Sequence, residues 1–259
     1  MNRLVKRAAQ VFGAFSGWDP RLLLSSLKQI PAFVESAVAY RNSALGAPSA
    51  MPLSISNLFP ILSDATAHAG VARGHYFFQD LWMAQRVYEN HPSSHVDVGS
   101  RVDGFIAHLL TTMKVTVVDV RPLVSEVPGL TFIQDDGSSL RQFEDGSLES
   151  LSSLHAVEHF GLGRYGDPVD AGAHERAMRS FVRVLRPGGH LYFSVPVGRE
   201  RVEFNAHRIF APTTVLDVFS DLKLERFAAV GDDGSMMPEA RPGDLTRAEY
   251  GCGLFVFSK

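Results

Sequence analysis

HVDVGSRVDGF, residues 95–105, is the stretch that decides the fold. A short apolar-rich run ends at Gly99, a second glycine follows at Gly104, and apolar residues resume at Phe105. This is the pattern of a strand entering a tight turn and then a helix. Such a turn lets backbone approach a ligand closely and aims helix N-terminal amides at it. Twenty residues beyond Gly99, the run VTVVDV puts Asp119 at the tip of a second strand, where a carboxylate can accept the hydroxyl hydrogens of a ribose. FIQDDGSSL, residues 132–140, ends a third strand in Asp136 and Gly137. An acid there can accept the amino group of adenine. The three segments together predict a nucleoside-cofactor site without saying which nucleoside.

The chain around them alternates short β-rich runs with helical segments, as a parallel sheet with crossover helices does. Strands are expected near His95–Val98, Val115–Val118, Leu130–Gln134, Leu148–Leu154, Gly189–Val195, Leu222–Val230 and Gly253–Phe257, and helices at Phe105–Thr112, Ala173–Val184 and Thr213–Phe219. Residues 1 to about 90 read as helix with breaks. Apolar spacing is helical in Leu22–Tyr40 and Tyr76–Tyr88, with Pro20, Pro31, Pro48, Pro52 and Pro60 as interruptions. The expected organisation is a helical N-terminal extension over residues 1–90, with His75–Trp82 as its lid segment, and a cofactor-binding domain over residues 91–259.

Composition narrows the function. A chain of 259 residues, 45% hydrophobic, can bury one continuous core of ordinary α/β size. A formal net charge of −3 without a long basic run argues against a nucleic-acid partner and for a small-molecule or glycan one. The single cysteine, Cys252, excludes an internal disulfide, leaves no second thiolate for a zinc site, and reads as a small buried hydrophobe in the last strand. No apolar run approaches the roughly 20 residues of a membrane span, so a cytoplasmic protein is expected. Residues 1–16 alternate Arg3, Lys6 and Arg7 with apolar residues, a pattern compatible with peripheral contact at the inner membrane face but more often an ordinary docking helix.

Two further segments carry a resemblance. LRPGGHLYFSVP, residues 185–196, resembles the entry to the fifth strand of class I S-adenosylmethionine-dependent methyltransferases, and SSLHAVEHF, residues 152–160, resembles their fourth strand and the loop after it. The resemblance implies a Rossmann-like seven-stranded sheet, mostly parallel, whose last strand is antiparallel. It implies that Asp97 and Gly99, within a turn that also holds Ser100, Arg101 and Gly104, lie near the methionine part of the cofactor. Asp119 would take the ribose, Asp136 and Gly137 the adenine, and His155 would shape the pocket. Arg101 and Asp103 stand where the family's second and third glycines are usual, with Gly104 displaced by one. HYFFQDLW, HVDVGSRVDGF and HAVEHFGLGRYGD together resemble a little-characterised bacterial branch associated with surface-polysaccharide synthesis.

Methyl transfer to a hydroxyl needs alignment and removal of a proton. His159, His207 and Glu158 are the expected catalytic residues, with Arg164, Tyr165, Asn205 and Arg208 holding the acceptor, because these residues follow the fourth and fifth strands where ligands collect. O-methylation of a sugar or glycan hydroxyl is therefore the expected activity. Three histidines and four acids between His155 and Glu175 have the composition of an oxygen and imidazole metal site. Loop acids are more often simply solvated, and a divalent metal is not expected. Two other functions share these features: a nicotinamide-dependent oxidoreductase, disfavoured by the lack of GxGxxG, and a non-catalytic cofactor-binding scaffold, suggested by Arg101 and Asp103.

Overall fold

The structure is a computed structural model describing residues 20–62, 64 and 69–259, so the basic segment 1–16 lies outside the described residues. The chain divides into two compact units, residues 1–71 and 72–259. In the first, a helix α1 spans Pro20–Ala44. It runs through Pro31, where a break was expected: the proline removes one backbone donor without ending the helix. None of the helices among the described residues is long and apolar enough to cross a membrane.

The second unit opens with helix α2, His75–Asn90. Then come strands β1 His95–Val98, β2 Val115–Asp119, β3 Leu130–Gln134 and β4 Leu148–Leu154. Helix α3, Ala173–Val184, leads directly into β5, Leu185–Val197. A small hairpin, β6 Arg201–Glu203 and β7 His207–Ile209, precedes helix α4, Pro212–Val218, and strands β8 Lys223–Val230, β9 Met236–Met237 and β10 Gly251–Ser258. The sheet order is β3-β2-β1-β4-β5-β10-β8-β9. The first five strands of that order are parallel, and β10 is antiparallel to both β5 and β8. The seven expected strands are all present, and the eighth is the two-residue edge strand β9. The hairpin β6–β7 falls where a loop was expected.

Two apolar layers cover the sheet. α3 and α4 bring Met178, Phe181, Val215 and Phe219 onto Phe193, Phe255 and Phe257 on one side. On the other, Met83 and Val87 of α2 join Phe105, Ile106 and Leu109, which follow β1, against Tyr192 and Leu254. The expected helix Phe105–Thr112 is instead a π-helical turn, Val102–Ile106, continued by one α-turn, Ala107–Leu109.

Polar side chains cross the middle of this sheet. Asp97 on β1 is fully buried; its Oδ1 accepts from the Ser100 amide at 2.9 Å, and its Oδ2 from the Ser100 hydroxyl at 2.5 Å and from the Ser152 hydroxyl on β4. The Ser100 hydroxyl in turn accepts from the Leu154 amide at 3.0 Å. His95 lies 2.8 Å from Ser152 through Nε2 and 2.7 Å from Ser150 through Nδ1. Because Ser152 spends its proton on Asp97, Nε2 of His95 carries the ring hydrogen and Nδ1 accepts from Ser150. Burial lowers the His95 pKa to about 3 and raises that of Asp97 to about 6.

The folded pKa of His95 lies below its ordinary 6.5, so the stability it contributes is complete above pH 6.5 and is lost as pH falls toward 3, at up to about 1.4 kcal/mol per pH unit. Protonation of Asp97 below pH 6 acts in the opposite direction. Denaturant melts of wild type and His95→Asn across this window isolate the histidine: the variant is expected to lose stability less steeply on acidification, and parallel pH profiles would contradict a neutral buried imidazole.

Candidate functional site

At the carboxyl ends of β1, β2, β3 and β4 lies a cavity of about 750 Å³, walled entirely by residues of the second unit. Its floor at β1 is Gly99, with φ of +77°. A methyl group there would stand 2.8 Å from Ala156 Cβ, so the turn needs glycine both for its conformation and for the approach of the loop after β4. Gly104 serves a different neighbour: a side chain at this position would run into the Asp80 carboxylate of α2. Gly137 packs against Val98 rather than lining the cavity. Asp97 and Ser100 are buried in their mutual hydrogen bonds and do not reach it either. These four residues build the cavity's framework, whereas direct ligand contact was expected of them.

Arg101 does line the cavity. Its guanidinium bonds Asp103 at 2.6 and 3.0 Å and lies 5.2 Å from the centre of the Tyr76 ring. The two side chains that stand where glycines are usual thus pair with each other, both more than half exposed.

Asp119 lies at the cavity wall at the end of β2, but it has a partner that the sequence reading missed. Its Oδ1 accepts from the Arg121 amide at 2.8 Å and from Arg121 Nε at 3.0 Å, and its Oδ2 from Arg121 Nη2 at 2.6 Å. The same guanidinium lies 4.8 Å from the centre of the Tyr165 ring, which Arg164 at 5.3 Å and the His159 ring at 5.6 Å also flank. Since each carboxylate oxygen accepts about two hydrogen bonds, Oδ1 is saturated and Oδ2 has room for one more. Asp136 also lines the cavity, with Oδ1 taken by the amide and hydroxyl of Ser138, each at 2.8 Å.

The opposite wall is rich in imidazoles. His155 follows β4 in a left-handed backbone conformation, φ +50°, and is buried. Its Nδ1 lies 2.8 Å from Glu158 Oε1, while its Nε2 and Glu158 Oε2 are buried without a hydrogen-bond partner among the described residues. Burial pushes the Glu158 carboxyl up, but the neighbouring His155 and His159 outweigh it and hold the group below its ordinary range. His159 donates from Nδ1 to the Ala206 carbonyl at 2.7 Å, which leaves Nε2 as its basic nitrogen, 3.7 Å from Glu158 Oε1. Burial lowers its pKa and that of His207. A stack of rings runs from His155 to His75, then Tyr250, then His207, with centroid separations of 5.1, 5.0 and 4.9 Å. His75 and Tyr250 were not among the expected site residues: Tyr250 precedes β10 in a segment without periodicity.

Among the expected acceptor residues, Arg164 and Tyr165 line the cavity, Arg164 donating to the Ala206 carbonyl at 2.8 Å. Asn205 is exposed and outside the cavity. Arg208 is buried and donates to the carbonyls of Phe160, Glu158 and Ala171 at 2.7, 3.3 and 3.4 Å. His207 and Arg208 are neighbours on β7, and alternation along a strand sends one to the cavity and the other into the scaffold. The acids of the following loop are similarly employed: Asp167 accepts from the amides of Gly161 and Tyr165, Asp170 pairs with Arg176, and Glu175 with Arg179. They do not converge into the oxygen-rich metal site that their composition suggested.

These geometries can bind a nucleoside at the β1–β3 side and take a proton from a second ligand at the histidine side. Comparison with known proteins places the fold. Residues 119–228, less than half of the chain, match a family described as Caenorhabditis protein of unknown function, DUF268. No curated protein matches in sequence. Among solved structures, the chain is similar to the N-methyltransferase NodS from Bradyrhizobium japonicum WM9 in complex with S-adenosyl-L-homocysteine, at 16% identity and a TM-score of 0.50 over 72% of this chain and 88% of that one. It is similar to the [4+2]-cyclase SpnF at 15% identity and a TM-score of 0.51, over 86% and 93%. A putative sarcosine dimethylglycine methyltransferase from Galdieria sulphuraria aligns at 13% identity and a TM-score of 0.50, over 70% and 84%. The chain has the Rossmann-like fold of class I methyltransferases, with the antiparallel strand β10 inserted between β5 and β8.

Proposed function

We propose that this protein is an S-adenosylmethionine-dependent methyltransferase that acts on a hydroxyl of a small or glycan acceptor. The observation that carries this reading is one cavity with a carboxylate-tipped nucleoside side, at Asp119 and Asp136, facing a wall of neutral imidazoles at His159 and His207. Its volume suits a nucleoside cofactor beside a small acceptor. S-adenosylmethionine, when bound, supplies an electrophilic methyl group. Gly99 would give its backbone to the cofactor, Asp119 Oδ2 would accept one ribose hydroxyl without displacing Arg121, and Asp136 would meet the adenine. A parallel sheet with an antiparallel insertion speaks against the nicotinamide alternative, whose strand order is 3-2-1-4-5-6 without it.

A hydroxyl acceptor is favoured over an amine because a base stands in the wall: a neutral amine attacks without one, whereas a hydroxyl is a weak nucleophile until its proton is removed. His159 Nε2 is the proton acceptor: Nδ1 is fixed by Ala206, and Glu158 Oε1, 3.7 Å from that same Nε2, would stabilise the imidazolium that forms. Arg164 and the face of Tyr165 would hold a polyhydroxyl ligand against that wall. The branch associated with surface polysaccharides motivates the glycan class.

Calorimetry with S-adenosylmethionine is the first test. Asp119→Ala should cost about 2–4 kcal/mol of binding, while Arg121→Ala, which frees the carboxylate, should bind at least as tightly as wild type. Equal losses in both variants would assign the ligand to the ion pair rather than to the carboxylate.

Release of S-adenosylhomocysteine over a panel of sugar and amine acceptors then tests the base. Because burial lowers the His159 pKa, the basic form persists through neutrality and turnover should fall only on acidification below the ordinary histidine range. His159→Gln should lower kcat by about 10²–10⁴-fold at unchanged cofactor affinity. Turnover that keeps its acid limb in this variant would remove His159 from proton transfer.

A further inference from the structure

Cys252 is fully buried at the start of β10, where its hydrogen-bond partners, Gln79 Oε1 and the Gly253 carbonyl, stand 3.9 Å away, long even for sulfur. Two imidazoles flank it. One ligand atom each from His75, His155 and Cys252 lie within 4.8 Å of one another. His155 is 7% exposed, and with Nδ1 bonded to Glu158 it leaves Nε2 buried and unpartnered. A carboxylate on one nitrogen of a histidine whose other nitrogen is bare is the arrangement that surrounds metal-bound imidazole: the carboxylate fixes the tautomer and the ring orientation. His155 also carries a positive φ, costly for a residue with a side chain.

We propose that His75, Nε2 of His155 and Sγ of Cys252 bind one zinc-class divalent transition-metal ion. The donor set decides the class: two imidazoles and a thiolate suit zinc, cobalt or nickel and not magnesium or calcium. Bonds of about 2.0–2.3 Å in a tetrahedral shell bring donors to about 3.3–3.8 Å apart, so the side chains close by about an ångström on binding. The Cys252 thiol loses its proton to solvent as the metal–sulfur bond forms. Three ligands leave a fourth position, and His155 is itself part of the cavity wall. The ion ties together the start of α2, the turn after β4 and the start of β10, segments far apart in the chain. No thiolate site was expected from a chain with one cysteine, and here the fold supplies the other donors from histidines. The proposal does not depend on methyl transfer.

The test is cobalt(II) titration of the full chain after chelator treatment. The expected result is saturation at one equivalent with a thiolate-to-cobalt charge-transfer band in the ultraviolet and tetrahedral d–d bands, all displaced by zinc(II). Cys252→Ser should abolish the charge-transfer band, and His75→Ala and His155→Ala should weaken binding by more than about 100-fold. Zinc(II) should raise the melting temperature of wild type and not that of Cys252→Ser. A folded wild type that gives no band, as expected if His155 and Cys252 form only a proton-sharing pair, would overturn the proposal. So would a band that survives Cys252→Ser.

Discussion

The buried carboxylate of Asp97 is the point from which the rest of the site is measured. It sits where β1 ends, takes both donors of Ser100 and the hydroxyl of Ser152, and so binds the turn after β1 to the neighbouring strand β4. A charge or near-charge with no water around it is costly unless its oxygens are filled, and three donors fill them. Their arrangement fixes the distance between β1 and β4 at the height where Gly99 meets Ala156. With that contact set, the loop carrying His155, Glu158 and His159 has one place to go, and the cavity opens between it and the end of β2.

The loop after β4 shows how polar residues divide between making a site and holding it. Asp167, Asp170 and Arg208 consume their hydrogen-bonding capacity on backbone groups and on Arg176, which gives an irregular segment the rigidity that a helix or strand would otherwise provide. The groups left over are imidazoles, and burial keeps His159 and His207 uncharged. Beside them stand the Glu158 carboxylate and the Arg164 guanidinium, so the wall holds neutral and charged groups together.

Much of the fold was legible in the sequence because its signals are local. Alternation and β-branched runs marked all seven long strands, and helical spacing marked α3 and α4. Asp119 and Asp136 were legible because strand ends are, and the cavity does reach them. The partners of Gly104 and Arg208 were not legible, because each is remote in sequence: Asp80 in one case and the carbonyls of residues 158–171 in the other. Arg121 was passed over because nothing in VDVR distinguishes a surface arginine from one that doubles back on the aspartate two residues earlier. His75, Tyr250 and Cys252 meet through tertiary packing alone, and no spacing rule connects residues so far apart.

Helix α2 belongs to the compact unit that begins at residue 72, and its inner face closes one layer over the sheet. Met83 and Val87 are fully covered, and the residues beneath them, Phe105 and Ile106, owe their dryness to that cover. A shortened protein begun at residue 91, where the β-rich pattern starts, would therefore present a greasy stripe to water and invite self-association, while one begun at 72 would keep the helix that covers it. The seam at which evolution or an experimenter can cut this chain lies ahead of the helix, in the glycine-bearing segment before His75.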